Sequence, residues 1–403
     1  MMHNRYQQSG GEDVVFEQEA KLLSDRGHEV VQVERDNSAI RVDTLDAKAR
    51  LFGQTVWSPA AYRDTRETIR KCRPALVHVH NYLPLLSPSV YYAAWAEGVP
   101  VVQTLHNYRL ICPGALLLRN GRICEDCVGR TTWRGALHAC YRGSRTASAA
   151  VVAMIESHHL LGTWRRVEAY IALSEFHRQK LIAGGLPADR LYFKPNFVAW
   201  DFPVRSGSGE YALYAGRLSP EKGIQTLVQA WARAGSEGIA GLTLKIVGFG
   251  PLGYQLRQAV AASGARVEFL GFRTRPEVAD LLRGARFLVY PSELYEPNGI
   301  TLIEAFAASV PIIASRIGSL ESFVEDGTTG LHFAAGDADD LVRVARRLGQ
   351  DEAASVRMGQ AARTRYLSRY TPEQNYGQLL NIYSAAASRV PSRQRRYDEP
   401  LIN

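Results

Sequence analysis

The stretch Pro291-Ser-Glu-Leu-Tyr-Glu-Pro-Asn-Gly-Ile-Thr-Leu-Ile-Glu304 joins two apolar runs of different character. The run before it, residues 287–290, predicts a buried parallel strand, and the run that it enters, residues 300–308, predicts a helix packed in a core. A strand-to-helix loop points backbone N–H groups and the positive end of a helix dipole at a bound anion. Glu296 and Glu304 add two carboxylates, which would accept hydrogen bonds from sugar hydroxyls. The same residues are equally compatible with an ordinary turn that exposes two glutamates.

Strand-like runs alternate with helix-like runs on both sides of this stretch, and the chain of 403 residues is too long for one compact core. The alternation predicts an α/β fold with two Rossmann-like domains that face across a cleft, with ligands at the carboxyl ends of parallel strands. The predicted strands lie near residues 29–33, 75–80, 99–105, 169–173 and 191–194 in the first half, and near 211–215, 242–247, 267–270, 287–290 and 311–314 in the second.

The domain limits follow from breaks in this alternation. Polar, glycine-containing residues 205–210 predict a linker. Only a few residues precede the Gly10-Gly11 turn, so we expect the first strand to be truncated. The predicted organisation is an N-terminal domain over 1–204 with a Cys-rich insertion at 112–140, a C-terminal domain over 205–371, a helix at 372–387 that crosses back to the N-terminal domain, and a disordered tail at 388–403.

The formal net charge of +8 suits an anionic substrate or an anionic membrane surface, or simply a soluble basic surface. Residues 131–166 mix two tryptophans and several arginines with apolar residues. They would dock on an anionic membrane or merely cover the domain. No run approaches the length of a transmembrane helix and no signal-peptide pattern is present, so we predict a cytoplasmic protein, free or peripheral on the inner face of the membrane.

Two cations lie on the loop that follows the predicted strand at 211–215. Arg217 offers a planar fork of donors and Lys222 a point charge, a combination that fits a diphosphate. A solvated basic loop is the alternative. The position of this loop, at the same strand ends as the loop that carries Glu296, favours a common ligand.

An ordered set of motifs resembles the family-4 glycosyltransferases, which are retaining, nucleotide-sugar-dependent enzymes of the GT-B fold. The likeness covers roughly residues 3–385. Each motif is weak alone, and their order and spacing carry the resemblance. The motifs are Gly10-Gly-Glu-Asp13, Arg26-Gly-His-Glu-Val30, His78-Val-His80, Thr104-Leu-His106, Ala172-Leu-Ser-Glu175, Gly216-Arg-Leu218 with Glu221-Lys-Gly223, Gly248-Phe-Gly-Pro251, Glu296-Pro-Asn-Gly-Ile300 with Glu304, and Glu325-Asp-Gly-Thr-Thr-Gly330.

The resemblance implies roles for individual residues. Arg217 and Lys222 would clamp the donor diphosphate, Glu304 would accept hydrogen bonds from the ribose, Glu296 would hold the donor sugar, and His106 would face the transferred sugar. The resemblance places His106, Glu296, Arg217 and Lys222 in catalysis. The other donor-binding positions that it implies are Gly10, Gly11, Gly216, Gly248, Phe272, Arg273, Pro297, Asn298, Gly299 and Ile300.

The implied reaction moves a hexose from a nucleotide-diphosphate sugar to a glycan or a polyprenyl- or other lipid-linked acceptor, in cell-surface polysaccharide or glycoconjugate synthesis. Two fixed cations and a helix N-terminus would replace a divalent metal, so no cofactor is expected for catalysis and no nucleic acid as partner. Same-face attack assisted by the leaving phosphate is the favoured mechanism. A nucleotide-sugar 2-epimerase and a non-catalytic nucleotide-sugar-binding subunit are the alternatives.

Three further patterns are weaker indications of function than the motifs above. The run Gly248-Phe-Gly-Pro-Leu-Gly253 matches a dinucleotide-binding pattern, but no first-strand fingerprint accompanies it. Asp337-Ala-Asp339 mimics a metal motif of other sugar transferases, and we expect Asp337 to cap a helix instead. His78 and His80 would face the same side of a strand, but chelation of a metal would need a third ligand that the sequence does not indicate.

Four of the five cysteines, namely Cys112, Cys124, Cys127 and Cys140, lie within one short window. The pair Cys124-Glu-Asp-Cys127 has the form of a metal knuckle, and four thiolates would make a closed tetrahedral zinc site. Reduced buried thiols, a disulfide and an iron–sulfur cluster remain alternatives at this stage.

Overall fold

The computed structural model describes residues 1–7, 10–40, 44–199 and 202–390. Its strands are β1 (Met2–Arg5), β2 (Val33–Asp36), β3 (Val77–Asn81), β4 (Val101–Leu105), β5 (Leu118–Arg119), β6 (Arg122–Ile123), β7 (Ala169–Ala172), β8 (Leu191–Phe193), β9 (Tyr211–Ala215), β10 (Thr243–Val247), β11 (Val267–Gly271), β12 (Ala285–Tyr290), β13 (Ile312–Ser315) and β14 (Gly330–Phe333). Its helices are α1 (Gly11–Asp25), α2 (Leu45–Val56), α3 (Pro59–Cys72), α4 (Ser89–Ala96), α5 (Arg134–Leu137), α6 (Arg145–Leu160), α7 (Thr163–Arg166), α8 (Glu175–Ala183), α9 (Ile224–Ala234), α10 (Gly253–Ser263), α11 (Arg275–Arg283), α12 (Ile300–Ala307), α13 (Leu320–Phe323), α14 (Ala338–Gln350), α15 (Glu352–Arg369) and α16 (Pro372–Ser388).

The chain forms two compact units. Unit 1 contains Met1–Arg119, Cys124–Pro195 and the described residues from Asn375 onward, and unit 2 contains Asn120–Ile123 and Asn196–Gln374. Each unit is built around its own parallel six-stranded sheet, as the alternation of strands and helices predicted. No helix in the described part of the chain is long and apolar enough to cross a membrane.

The sheet of unit 1 has the strand order β2-β1-β3-β4-β7-β8, with every pair parallel. Strands β3, β4 and β7 are buried at every position, because helices cover both faces of a parallel sheet. The strand order reverses between β1 and β3, and ligands in such sheets bind beyond the strand ends at the reversal.

Strand β1 is an interior strand of this sheet. It pairs with β2 on one side and with β3 on the other, and the expected truncation of the first strand stays a prediction. The expected position of β2 was wrong, since β2 lies at Val33–Asp36 and not at residues 29–33. The ladder begins where Val33 donates to the carbonyl of Met1 at 2.9 Å and pairs with Met2, so the valines before Val33 precede it.

The C-terminal helix α16 belongs to unit 1 from Asn375 onward. Its apolar face, which includes Leu379, Ile382 and Tyr383, packs in one cluster with residues of α1, β4 and β7. Asn375 also donates to the carbonyl of Pro195 at 3.2 Å. The predicted disordered tail, residues 388–403, was wrong for its first residues, since α16 ends at Ser388 and Arg389 lies 2.9 Å from Asp189. The rest of that tail, from position 391 onward, lies outside the described residues.

Unit 2 has the strand order β11-β10-β9-β12-β13-β14, again with every pair parallel. Two cores cover its faces, one around Trp231 and Phe287 and the other around Phe306. The strand order reverses between β9 and β12. The loops after these two strands are the ones that carry the predicted cations and carboxylates.

Arg205 overturns the predicted linker at residues 205–210. Its guanidinium is buried inside unit 2 and donates to the carbonyl oxygens of Ser208, Ala285 and Arg286 and to the hydroxyl of Ser355. Burial, reinforced by the charge of Arg286, lowers its pKa to about 10. Polar and glycine residues suggested a solvated segment, but the arginine satisfies loop carbonyls that would otherwise be buried without a donor.

Candidate active site

The loops after β9 and β12 touch because a glycine stands at their contact. Gly223 has φ of +65°, and a Cβ there would lie 1.8 Å from the carbonyl oxygen of Pro291. Only glycine permits this approach. Glu293 N–H also donates to the carbonyl of Glu221 at 3.0 Å. The contact fixes the residue before the glycine, Lys222, beside the β12 loop.

Lys222 and Glu296 form an ion pair, with Nζ 2.5 Å from Oε1. Glu296 is buried and also accepts a hydrogen bond from the hydroxyl of Ser292 at 2.8 Å. The hydroxyl of Ser319 donates to its main-chain carbonyl. The sequence predicted separate roles for the two residues, and the structure brings their charges together.

Arg217 has a different partner. Its guanidinium lies 2.7 Å from Glu221, which also accepts from the hydroxyl of Ser219 at 2.6 Å. The Arg217 side chain is 56% exposed, so it can leave this pair for a stronger anion at small cost. The two predicted clamp residues are therefore on one loop but are engaged by different carboxylates.

The N-terminus of α12 completes this end of the sheet. Gly299 is the N-cap residue and Ile300 the first helical residue, and no side chain of the described residues caps the first N–H groups. Pro297 precedes them, and the main-chain carbonyl of Asn298 accepts from Asn196 at 3.1 Å. The side-chain oxygen of Asn298 is buried, and within the described ranges nothing donates to it. Uncapped N–H groups and a helix dipole favour an anion here.

Glu304 lies one turn into α12 and is 9% exposed. Burial raises the pKa of its carboxyl to about 7, and the charge of Arg275 offsets only part of this effect. No donor in the described part of the chain makes a hydrogen bond to the carboxyl. A buried carboxyl without donors is costly unless a ligand supplies them.

Two aromatic rings follow β10 and β11. Phe249 and Phe272 are 58% and 67% exposed, and their ring centroids lie 6.2 Å apart. Large exposed rings at strand ends suit stacking on a flat ligand. Arg273 next to them donates to the carbonyl of Phe272 at 2.9 Å. Phe272 is among the donor-binding positions that the resemblance implies, whereas Phe249 is not, although Phe249 stands inside the Gly248 motif.

Gly248 and Gly216 have a structural role where β9 and β10 end. Gly248 has φ of +124°, and a Cβ there would lie 2.0 Å from the carbonyl oxygen of Gly216. Gly216 N–H donates to Val247 at 3.0 Å, and Gly248 N–H donates to Gly271 at 2.8 Å. These contacts hold the loops that carry Arg217 and the aromatic pair.

A chain of buried polar groups lies behind His106 in unit 1. His106 Nε2 is 3.1 Å from His80 Nδ1, His80 Nε2 is 3.3 Å from Glu19, and Glu19 forms an ion pair with the ammonium of Lys194. Burial lowers the pKa of both histidines, and for His106 well below its usual value. Burial alone would raise the pKa of Glu19, but Lys194 and His80 outweigh it and hold the pKa well below its usual range.

The chain is consistent with one pair of tautomers. A neutral His80 that is protonated at Nε2 directs this proton toward the Glu19 carboxylate, which only accepts, and its Nδ1 can accept from His106 Nε2. In this arrangement His106 Nδ1 is the unprotonated nitrogen. The sequence indicated no third ligand for His78 and His80, but Glu19 lies within 4.8 Å of both. His78 is engaged by the hydroxyls of Tyr383 and Thr104, each at 2.8 Å, which argues against a metal there.

A cavity of about 30 Å³ opens beside His106. Glu12, from the Gly10-Gly11 motif, lines it and accepts hydrogen bonds from Tyr6 at 3.0 Å and Asn107 at 2.9 Å. Burial raises the pKa of Glu12. Gly10 N–H donates to Asp13 at 2.7 Å, and Gly11 begins α1. Glu12 is not among the predicted site residues, although it lies in that motif.

The remaining predicted positions are the helix cap at Asp337 and the four cysteines. Asp337 caps α14 by accepting from the N–H groups of Asp339 and Asp340, so its predicted capping role is confirmed. The cysteines of the window carry free thiols in the described structure: Cys112 is buried, and the other three, Cys124, Cys127 and Cys140, are half-buried.

Family models match both halves of the chain. Residues 10–196 match the glycosyl transferase 4-like domain, and residues 201–365 match the glycosyl transferases group 1. A glycogen synthase of Mycobacterium tuberculosis is 30% identical over 334 residues, which cover 79% of this chain and 70% of that protein. The O-antigen chain mannosyltransferase C of Escherichia coli is 29% identical over 177 residues, 43% of this chain and 46% of that one.

Solved structures share the fold. Anabaena Alr3699/HepE in complex with UDP superposes with a TM-score of 0.68 at 17% identity, over 95% of this chain and 99% of that chain. Sucrose-phosphate synthase from Thermosynechococcus elongatus has a TM-score of 0.68 at 21% identity, over 94% of each chain. The prediction of two Rossmann-like domains of the GT-B class is thus confirmed. With a relative of this identity and coverage, the chain belongs to the group 1 glycosyl transferases.

Proposed function

We propose that this protein is a retaining glycosyltransferase that moves a hexose from a nucleotide-diphosphate sugar to a glycan or lipid-linked acceptor. The observation that carries the donor assignment is Glu304, a buried carboxyl one turn into α12 to which no described residue donates a hydrogen bond. The two hydroxyls of a ribose are donors that fit it. The uncapped N–H groups at the start of the same helix would face the phosphates.

The cations of the β9 loop would stabilise the leaving diphosphate. Lys222 is already held by the β12 loop through Glu296, so its charge is in place before the donor binds. Arg217 would exchange Glu221 for the diphosphate, because a guanidinium binds a phosphate in a bidentate manner. Fixed charge aimed at the leaving group lowers the barrier without reorganisation, and no divalent metal is needed in this scheme.

The pairing of Glu296 supports same-face attack over double displacement. Its Oε1 accepts from both Lys222 and Ser292, which lowers its nucleophilicity and favours a role in holding sugar hydroxyls. In the proposed step the bond from the anomeric carbon to the phosphate oxygen breaks. The acceptor oxygen then bonds to the same face of that carbon, and its proton passes to the departing phosphate. His106, through its unprotonated Nδ1, would accept a hydrogen bond from the transferred sugar.

An exposed aromatic pair supports a nucleobase platform at Phe249 and Phe272. The Anabaena relative of known structure was solved with UDP and with UDP-glucose, so UDP sugars are the first donors to test. Phe249→Ala should weaken binding of UDP-glucose by about 1–3 kcal/mol if the base stacks there. The exposed Phe193, at the end of β8 in unit 1, provides a matched control.

A membrane-linked acceptor would place the protein on the cytoplasmic face of the membrane. Leu160 and Leu161 at the end of α6 are exposed beside the exposed Arg165, a combination that favours an anionic bilayer. Vesicles that contain anionic lipid should carry the protein in a flotation assay, and neutral vesicles should not. Equal flotation of wild type and a Leu160→Ser, Leu161→Ser variant would contradict this part of the proposal.

A donor and acceptor panel tests the reaction itself. Nucleoside diphosphate should appear only when both a nucleotide sugar and a polyprenyl-linked or glycan acceptor are present, and NMR of the product should show the anomeric configuration of the donor. An inverted product would refute retention. Conversion of the sugar nucleotide without any acceptor would establish the 2-epimerase alternative instead.

A further inference from the structure

The Cys-rich segment, residues 112–142, contains little regular secondary structure. It contains two strands of two residues each and the four-residue helix α5. Of the nine non-glycine residues with positive φ in the described chain, five lie here: Ala115, Leu117, Asn120, Ala139 and Arg142. Left-handed backbone at such residues is unfavourable and persists only where something else holds the chain. Helix and strand ladders are too short to do so in this segment.

The two ends of the segment meet at Gly114. A Cβ on Gly114 would lie 3.1 Å from the carbonyl oxygen of Cys140 and 3.8 Å from the sulfur of Cys112. The first and last cysteines of the window, 28 residues apart in sequence, therefore approach one another across a glycine.

The other two cysteines form the knuckle between them. Cys124 N–H donates to the carbonyl of Leu117 at 2.8 Å, and the carbonyl of Cys127 accepts from Arg130 at 3.2 Å. Glu125 inside the knuckle lies 2.7 Å from Lys180 of α8, which anchors it to unit 1. Turns of this kind present the two sulfurs of a C-x-x-C pair to a common metal.

The knuckle lies against the loop that holds the other two cysteines. Asp126 inside the knuckle lies 3.1 Å from Arg119, and Cys124 is hydrogen-bonded to Leu117. Gly114, three residues before Leu117, is the point at which Cys112 and Cys140 approach one another. The fold therefore brings both pairs of cysteines to the same loop. The fifth cysteine, Cys72, is exposed at the end of α3.

We propose that Cys112, Cys124, Cys127 and Cys140 bind one structural zinc ion as thiolates. Each thiol gives up one proton, so Zn²⁺ replaces four protons and the site carries a net charge of −2. Among the described residues, no three of these sulfurs lie within 4.8 Å of one another. A tetrahedral site with Zn–S bonds of about 2.3 Å separates its sulfurs by about 3.8 Å, so the ion draws the ligands together.

The zinc would also fix one wall of the unit 1 cavity. Cys112 N–H donates to the carbonyl of Tyr108 at 2.9 Å, and Tyr108 N–H donates to Ala115 at 3.0 Å. These bonds tie the first zinc ligand to the loop that follows His106 and carries Asn107. The proposed ion thus stabilises that loop and takes no part in bond breaking.

Metal content, thiol titration and cobalt substitution of the whole protein test the proposal. Wild type purified under reducing conditions should hold about one zinc per chain and release five titratable thiols when unfolded with chelator. Cobalt in place of zinc should give the thiolate charge-transfer band and the visible absorption of a tetrahedral site. Cys72→Ser is the matched control and should keep the zinc, whereas Cys127→Ser should lose at least nine-tenths of it.

Three results would overturn the proposal, and none depends on whether Cys127→Ser folds. The first is wild type free of metal after expression in zinc-supplemented medium. The second is one or three titratable thiols without reductant, which would show disulfides. The third is stoichiometric iron with visible absorption, which would show a cluster of a different kind.

Discussion

Replacement of Glu304 by glutamine should separate stability from ligand binding. Burial raises the pKa of this carboxyl from 4.5 to about 7. Below pH 4.5 both the folded and the unfolded chain keep it protonated, so its ionisation leaves the free energy of unfolding unchanged. As pH rises from 4.5 to 7 the unfolded chain ionises and the folded chain does not, so the folded state loses stability, and the full loss is reached above pH 7.

The magnitude follows from the two pKa values. A difference between 4.5 and about 7 corresponds to about 3 kcal/mol. Ligand-free Glu304→Gln should therefore be more stable than wild type by up to about 3 kcal/mol at pH 8, and by less than about 1 kcal/mol at pH 5. Urea unfolding of both proteins at both pH values measures the difference. Glu268→Gln, at an exposed position of the same unit, should leave the free energy of unfolding nearly unchanged.

Binding should change in the opposite direction. The ionised carboxyl accepts the ribose hydroxyls in our account, so glutamine should weaken UDP-glucose binding by roughly 1.5–3 kcal/mol. Wild-type affinity should rise about tenfold from pH 6 to pH 8, since the ionised fraction of a group with a pKa near 7 rises from about one-tenth to about nine-tenths. Calorimetry of both proteins measures this. Unchanged affinity in Glu304→Gln, or equal stability of both proteins at pH 8, would refute the reasoning.

Three other variants test separate parts of the structure. Lys222→Ala should weaken UDP-glucose binding by roughly 1.5–3 kcal/mol in calorimetry, because a charged hydrogen bond to the diphosphate is lost. Gly248→Ala should lower the free energy of unfolding in urea by about 3 kcal/mol or more. The φ of +124° at this position is unfavourable for alanine, and its Cβ would also clash with the Gly216 oxygen 2.0 Å away. Glu19→Gln should lower it by about 3–5 kcal/mol by leaving the buried Lys194 without its partner, and adding Lys194→Met should recover much of that loss.

Each of these variants has a control or a contradicting result. Lys245 is the other lysine of unit 2, and Lys245→Ala should bind UDP-glucose like wild type. Gly264 has φ of +63° and open space around it, so Gly264→Ala should cost less than Gly248→Ala; equal costs would argue against the clash. If adding Lys194→Met to Glu19→Gln lowered the stability further, the ion pair would not be the cause.

The fold was largely predictable because it follows from local patterns. Buried parallel strands are short apolar runs, and the glycines at Gly223 and Gly248 stand where two loops meet. The error at the predicted linker came from contacts between residues that are distant in sequence. Arg205 lies in a polar, glycine-containing stretch that is typical of linkers, but its long side chain reaches carbonyls 80 residues away along the chain. A sequence pattern carries no signal for such contacts.

The sequence indicated which residues would lie in the candidate site, but it did not indicate which of them would contact each other. The motifs named Lys222 and Glu296, but their ion pair spans 74 residues and depends on how the β9 and β12 loops meet. Glu19 was missed altogether, because a single glutamate in an amphipathic helix usually faces solvent, and its partner Lys194 lies 175 residues away.

Calorimetric titration of the wild-type protein with UDP, GDP, ADP and dTDP sugars tests the central claim most directly. The account predicts saturable binding of at least one of these classes at pH 8, with one donor per chain, and a large loss of affinity in Lys222→Ala. Folded wild-type protein that binds none of the four classes, or that binds one as tightly when Lys222 is alanine, would contradict it.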